Sequence, residues 1–156
     1  MAPRPFPDEP FGGWFARVAG RYKMSVEQLW LDSGMDRPAA SLDPVWLLWA
    51  DAGDANVDRL SWLARVESRS LSAIMPTIGW SLSAQAPYCY VCLVHNRTDV
   101  TAPHWKLAWL APDVSPCQEH DAWLTVETTF ATPSRKFERL LTLIRRRYSR
   151  AQLLGH

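Results

Sequence analysis

The hydrophobic positions of the first part of the chain follow helical spacing. They recur at steps of three and four residues and predict a first helix with one apolar face: Phe11, Trp14, Phe15, Val18, Ala19 and Tyr22. Ser25 then stands three residues before Gln28, which is the spacing of a capping box, and predicts a second helix ending near Gly34. Residues 1–10 contain four prolines and are expected to form an extended lead-in.

Three further helices are expected in the first half of the chain. Asp43 and the proline after it match a cap and a first helical position, and the five apolar residues that follow predict a buried helix. A fourth helix covers about residues 56–67. A fifth, capped by Ser68 or Ser70, continues through Met75, where a proline ends it.

A five-residue stretch of the first helix recurs in the fourth. Residues 14–18 are WFARV and residues 62–66 are WLARV, and a short serine-led helix is predicted after each. The two copies could be repeated helix-turn-helix units. Two amphipathic helices can also share such residues by chance, so the sequence leaves the repeat open.

The second half of the chain has a composition typical of short strands and turns. Turn-forming residues separate short runs rich in Trp, Val, Thr and Tyr, and strands are predicted at His104–Trp109 and Trp123–Phe130. Thr132 and the proline after it then match the start of a last helix, in which apolar residues form a stripe among seven Lys and Arg residues.

All three cysteines lie in two short turns that suit a metal. Cys89 and Cys92 are separated by two residues, and so are Cys117 and His120. Zinc binds four thiolate or imidazole ligands in a tetrahedron, and each turn presents two of them. Because protein ligands take all four positions, we predict one structural Zn²⁺ and not a catalytic one.

Other interpretations of these residues stay open. The cysteines could be reduced and buried without a metal. His95 or His104 could replace His120 as the fourth ligand. A thioredoxin-like redox role for Cys89 and Cys92 is not expected, because no βαβ pattern surrounds them.

Composition narrows the class of protein. Hydrophobic residues make up 47% of the 156 residues, enough for a buried core. No apolar run approaches the roughly 20 residues that span a bilayer, and the N-terminus lacks the apolar region of a signal peptide. Three cysteines cannot all pair as disulfides within the chain, and two closely spaced cysteines favour a metal or redox role in a reducing compartment. A cytoplasmic protein is therefore expected.

The charge is distributed unevenly along the chain. The formal net charge of +1 divides into +6 for residues 134–156 and −5 for the rest. The basic end suggests a local contact with phosphate, for which the candidates are Arg135, Lys136, Arg139, Arg146 and Arg150. A solvated helix face is an equally ordinary explanation of such a charge run.

Together these patterns predict a mainly α protein with a small zinc ribbon. We expect a helical, helix-turn-helix-like domain over residues 8–76, a short β zinc ribbon over 77–132 and a C-terminal basic helix over 133–156.

The ribbon residues resemble those of the TniQ family. The chain has Tyr88-Cys89-Tyr90-Val91-Cys92-Leu93, then tryptophans, then Cys117-Gln118-Glu119-His120. The family pattern is a Tyr-Cys-Pro-x-Cys-Leu turn, a Trp-bearing strand and a Cys-Pro-x-His turn, so Tyr90 and Gln118 replace its prolines. Residues 8–34 also resemble the family's first helical pair, with Trp14, Arg17 and Leu29 in matching places.

This resemblance implies a non-catalytic adaptor in DNA transposition. Such adaptors link a target, recognised by a DNA-binding domain or an RNA-guided complex, to an AAA+ ATPase that recruits the transposase. The expected partner is thus an ATPase or recombinase protein, with DNA contacted through the basic helix and no membrane. The alternative is a sequence-specific DNA-binding transcriptional regulator. An enzyme is not expected, because the sequence has no phosphate-binding loop, no His-Glu-x-x-His and no convincing triad.

Overall fold

The computed structural model describes residues 1–35, 52–75, 86–95, 104–111 and 116–127. Within these ranges the elements are, in chain order, α1 Phe11–Tyr22, α2 Val26–Asp32, α3 Asp54–Ala64, α4 Ser68–Ser72, β1 Ala86–Tyr88, α5 Tyr90–His95, a 3₁₀ turn Leu107–Leu110 and β2 Thr125–Glu127. The expected mainly helical class is confirmed. The helix predicted after Asp43 and the basic helix predicted over 133–156 lie outside the described residues.

The start of α2 follows the local chemistry of its sequence. Ser25 is the N-cap, and its hydroxyl accepts the backbone N–H of Gln28 at 3.0 Å. The Gln28 side chain does not return to Ser25 but donates to Asp32 at 2.6 Å, so only half of the capping box forms. Gly34 follows the helix with a positive φ of 66°, which a glycine adopts without strain.

The two helical pairs share one kind of turn. Both α1 and α3 end at a left-handed residue, Lys23 with φ 56° and Arg65 with φ 55°. The next residue's N–H then returns to a carbonyl five positions earlier, at 3.0 Å in the first pair and 3.1 Å in the second. The turn thus satisfies carbonyls at the helix end. Arg65 stands forty-two positions after Lys23 in the sequence.

The five-residue sequence match has a different register, because its second copy starts forty-eight positions after its first. Its first Trp, Trp14, lies inside α1 and is 1% exposed, whereas Trp62 lies near the end of α3 and is 80% exposed. The WFARV match therefore does not mark equivalent structural positions.

The helical body, which comprises α1 to α4 and the segments beside them, has one hydrophobic core among the described residues. Its buried members are Phe11, Trp14, Phe15, Val18, Trp30, Met35, Ala52, Val57, Leu60, Ala64, Leu71 and Ile74. The rings of Phe15 and Trp30 meet edge to face at 5.7 Å between centroids. The N–H of Phe11 donates to the carbonyl of Ile74 at 2.9 Å, so the start of α1 is joined directly to the segment after α4.

The predicted serine cap of α4 is wrong. The N-cap is Glu67, which makes no side-chain cap bond. Ser68 is already the first helical residue, and its hydroxyl instead donates to Asp58 on α3 at 3.0 Å. The tight turn after Arg65 sets this start, because it reverses the chain before either serine is reached.

The strand predicted at His104–Trp109 is also wrong, since Leu107–Leu110 form a 3₁₀ turn. Trp105 and Trp109 are 0% and 3% exposed, and the turn allows both rings to enter one core. The prediction for 123–130 is confirmed for Thr125–Glu127, which pair antiparallel with Ala86–Tyr88. Within the described ranges no helix has the length and apolarity to cross a bilayer.

A buried ion pair fastens the N-terminal lead-in to α1. Glu9 and Arg17 are 0% and 2% exposed, and Nε and Nη2 of Arg17 donate to the two oxygens of Glu9, both at 2.7 Å. The guanidinium also lies 4.3 Å from the Phe6 ring centroid and donates to the carbonyl of Arg4 at 2.8 Å. Burial raises the pKa of Glu9, while the hydrogen bonds and charge of Arg17 oppose that rise.

The same lead-in contacts the second half of the chain. The N–H of Leu107 donates to the Asp8 carbonyl at 2.6 Å. The carboxylate of Asp8 lies 3.0 Å from His104 Nε2, and the ring of His104 lies 4.4 Å from that of Phe6. Residues 6–9 therefore join the helical body to the segment between the two cysteine-bearing turns.

We expect replacement of one partner of the buried pair to be strongly destabilising. Arg17→Gln leaves the Glu9 carboxylate buried without its countercharge, and the free energy of unfolding should fall by about 3–5 kcal/mol. Urea denaturation measures this. The control is Arg69→Gln, which breaks the exposed pair with Glu67 (85% and 66% exposed) and should cost less than about 1 kcal/mol. Equal losses in the two variants would contradict the proposed role of burial.

Candidate metal centre

Two turns present the four candidate ligands. Cys89 follows β1 directly, and Cys92 lies inside α5, so the first turn is a strand-to-helix transition. The second turn is closed by its own backbone, because the N–H groups of His120 and Asp121 donate to the carbonyl of Cys117 at 3.2 and 2.7 Å. Asp121 has a positive φ of 47°, which completes the reversal.

The small sheet places these turns side by side. Tyr88 pairs with Thr125 at one end of the β1–β2 ladder. The first turn starts one residue after Tyr88, and the second ends shortly before Thr125. An isolated bridge between Cys117 and Ala122, with an N–H to carbonyl distance of 2.8 Å, continues the alignment. Strand pairing thus brings together cysteines that are far apart in sequence.

The ligand atoms have the spacing of a tetrahedral metal site. The Sγ atoms of Cys89, Cys92 and Cys117 and a ring nitrogen of His120 all lie within 4.8 Å of one another. Cys92 Sγ is 3.6 Å from Cys117 Sγ and 3.2 Å from His120 Nδ1, and the other two sulfurs are each 3.8 Å from Nδ1. Zinc–ligand bonds of 2.0–2.3 Å imply edges of roughly 3.3–3.8 Å, so the four residues could hold such an ion.

A cation would allow all three sulfurs of the donor set to ionise. The three cysteines are buried, while His120 is exposed. Burial raises the pKa of Cys92, as do its sulfur neighbours. Burial also opposes ionisation of Cys117, but hydrogen bonds, above all that of His120, lower its pKa to about 6. Three thiolates this close would repel one another strongly without a positive ion between them.

A family profile for TniQ matches residues 1–124, which include both turns and both helical pairs. The chain belongs to the TniQ family. This family is associated with adaptors that select targets for transposition. No curated protein and no solved structure matches the chain.

A second hydrophobic core surrounds the candidate metal centre of this TniQ chain. It consists of Tyr88, Cys89, Cys92, Trp105, Trp109, Leu110 and Cys117. The indole N–H of Trp105 donates to the carbonyl of Pro87 at 3.1 Å, and its ring meets that of Tyr88 at 5.7 Å. The two turns therefore pack on tryptophans from the segment between them, which excludes water from the sulfurs.

A lysine balances the negative charge beside the sulfurs. Lys106 forms a salt bridge with Glu119, whose other oxygen lies 3.4 Å from Cys92 Sγ. Burial lowers the pKa of Lys106, but the hydrogen bond of Glu119 and nearby negative groups raise it overall. Lys106 also lies 3.8 Å from the Asp8 carboxylate. Neither Lys106 nor Glu119 was predicted, although Glu119 stands inside the Cys117–His120 turn.

Of the rival fourth ligands and the predicted phosphate contacts, only His104 has a described side chain. His104 bonds to Asp8 and does not join the cluster, so among the described side chains His120 fits the fourth position. The described residues do not include the side chain of His95. The predicted phosphate contacts Arg135, Lys136, Arg139, Arg146 and Arg150 also lie outside them and stay predictions.

Histidine variants should distinguish the fourth ligand. We expect His120→Gln to reduce bound zinc well below one equivalent per chain, because three ligands hold the ion less tightly. His104→Gln, the matched control, should keep one equivalent. Elemental analysis of the purified proteins measures both. Full occupancy in His120→Gln with loss in His104→Gln would overturn the ligand assignment.

Removal of a sulfur ligand should unfold the region around the centre. For Cys89→Ser we expect loss of hydrogen-exchange protection in residues 87–124, because metal binding supplies folding free energy there. Helix α1 has its own core and should lose less protection. A variant with unchanged protection and one bound zinc would contradict a structural metal role.

Proposed function

We propose that this chain is a non-catalytic adaptor in DNA transposition or recombination. It would link target DNA, or a complex that recognises the target, to an AAA+ ATPase or transposase. The observation that carries the proposal is the TniQ match over residues 1–124. A cytoplasmic location and the division into residues 8–76, 77–132 and 133–156 belong to the same proposal.

The arrangement of the metal centre supports an architectural role for the ion. Protein residues supply four ligand atoms within 4.8 Å of one another, so a tetrahedral zinc would have no open position for a substrate. We propose that the ion is Zn²⁺ and that it holds the two turns together. The surfaces that the turns support would then carry the function.

Exposed tryptophans support a protein-binding role. Trp62 on α3 and Trp123 beside β2 are each 80% exposed, whereas tryptophan is usually largely buried. Exposed aromatic side chains are the commonest anchors of protein interfaces. By contrast, the exposed residues of α2 are Gln28, Leu31 and Asp32; only Gln28 suits a base edge, and its side chain donates to Asp32. Protein docking therefore suits the helical body better than groove reading does.

Affinity capture from the native cell tests this role. With the tagged full chain as bait and zinc measured on the same sample, we expect recovery of an ATPase or a recombinase. Trp62→Ser/Trp123→Ser should reduce that recovery at least fivefold, because interface tryptophans are typical hot spots. Arg21→Gln, a change at an exposed residue of α1, is the control and should not.

The alternative regulator gives a different result in the same experiment. Recovery of one duplex sequence with neither protein class would favour sequence-specific DNA binding and contradict the adaptor proposal. Unchanged recovery in the double tryptophan variant would place the docking surface elsewhere on the chain.

A further inference from the structure

A cleft lined by three arginines lies between the lead-in and the turn that joins α3 to α4. Its volume is about 310 Å³, and its lining residues are Arg4, Pro5, Arg65, Val66, Glu67, Arg69 and Ser70. All three arginines are exposed. With one glutamate among them, the lining has a net charge of +2. None of these residues belongs to the metal centre or to the predicted basic helix.

Backbone contacts fix the main chain, though not the exposed side chains, of Arg4 and Arg65 before any ligand binds. The carbonyl of Arg4 accepts from the buried Arg17 at 2.8 Å, and the preceding carbonyl, of Pro3, accepts from the Trp14 indole at 2.8 Å. Arg65 ends α3 with a φ of 55°. Its backbone conformation is therefore set by the turn. Pre-organisation of this kind reduces the entropic cost of binding.

The third arginine, Arg69, makes only a weak pair with its neighbour Glu67. Arg69 Nε donates to Glu67 Oε2 at 2.6 Å, but both side chains are largely exposed, so the pair is weak and can rearrange. Guanidinium groups match the geometry of phosphate oxygens with paired N–H donors. A hydroxyl, that of Ser70, also lines the cleft and suits the same oxygens.

We infer that this cleft binds the phosphodiester backbone of a nucleic acid. Three arginines around one concave site favour an anion with several oxygens. Arginine and serine side chains most often bond to phosphate and sugar oxygens, and a lining with a net charge of +2 suits phosphate, so the contact is with the backbone.

The choice of nucleic acid over an acidic protein segment rests on the proposed function in transposition. The cleft itself is independent of the ATPase partner. A direct binding assay therefore separates the two ideas, because it can fail while capture of the partner succeeds, and the reverse is also possible.

The assay uses the full chain and a fluorescein-labelled duplex of mixed sequence at low salt. We expect Arg65→Asn to weaken binding about fivefold and to reduce the slope of log affinity against log salt by about one. Asparagine is chosen because it tolerates the left-handed backbone of this position. Arg69→Gln should give a similar loss, and it provides a second reading if Arg65→Asn is unstable.

The matched control is Lys23→Asn. Lys23 occupies the corresponding left-handed position after α1, with φ 56° against 55°, and does not line the cleft. The variant loses the same charge from the same backbone conformation. We expect its affinity to stay within twofold of that of the unchanged protein.

The outcomes decide the proposal. Losses in both cleft variants with an unchanged control support it. Equal losses in Arg65→Asn and Lys23→Asn would overturn it in favour of diffuse attraction, and no loss in either cleft variant would overturn it outright. A polyglutamate competitor that displaces the duplex at equal charge concentration would overturn the choice of nucleic acid and favour an acidic protein ligand.

Discussion

The ion pair of Glu9 and Arg17 is the contact on which the arrangement of the described residues depends. It is almost fully buried, with both carboxylate oxygens bonded at 2.7 Å. Burial of two charges is costly, and good geometry with further hydrogen bonds is needed to offset that cost. Here the N–H of Phe6 and the carbonyl of Arg4 supply those bonds. The pair thus orders a proline-rich segment that has no regular secondary structure.

Once ordered, that segment reaches both halves of the chain. Asp8 bonds to the 3₁₀ turn through its carbonyl and to His104 through its carboxylate. The ammonium group of Lys106 lies near the same carboxylate and forms a salt bridge with Glu119. Glu119 in turn contacts the sulfur of Cys92. The metal centre is therefore not an isolated module. Its charge is balanced by residues that also contact the lead-in, which in turn holds Arg4 at the edge of the basic cleft.

Local rules predicted the elements whose causes are local. The helix at Val26–Asp32, its Ser25 cap and the glycine after it depend on residues within one or two turns, and all three agree with the structure. The ligand set likewise follows from two short spacings, and the four side chains do converge. Short-range chemistry of this kind requires no knowledge of the rest of the fold.

Other predictions failed where distant contacts decide the outcome. The alternating pattern at His104–Trp109 indicated a strand, but burial of Trp105 and Trp109 beside the sulfurs requires a turn. The WFARV match, which left a repeat open, does not mark equivalent positions, because the turns at Lys23 and Arg65 relate the helical pairs in another register.

The sequence by itself determined the mainly helical class, the first helical pair and the three cysteine candidates with His120 as the favoured fourth ligand, because these depend on hydrophobic period, caps and close spacing. Only the tertiary structure showed that Glu9 pairs with Arg17 eight residues away, that Lys106 and Glu119 lie at the metal centre and that three arginines meet in one cleft. These contacts join residues with no regular spacing, so only packing can bring them together.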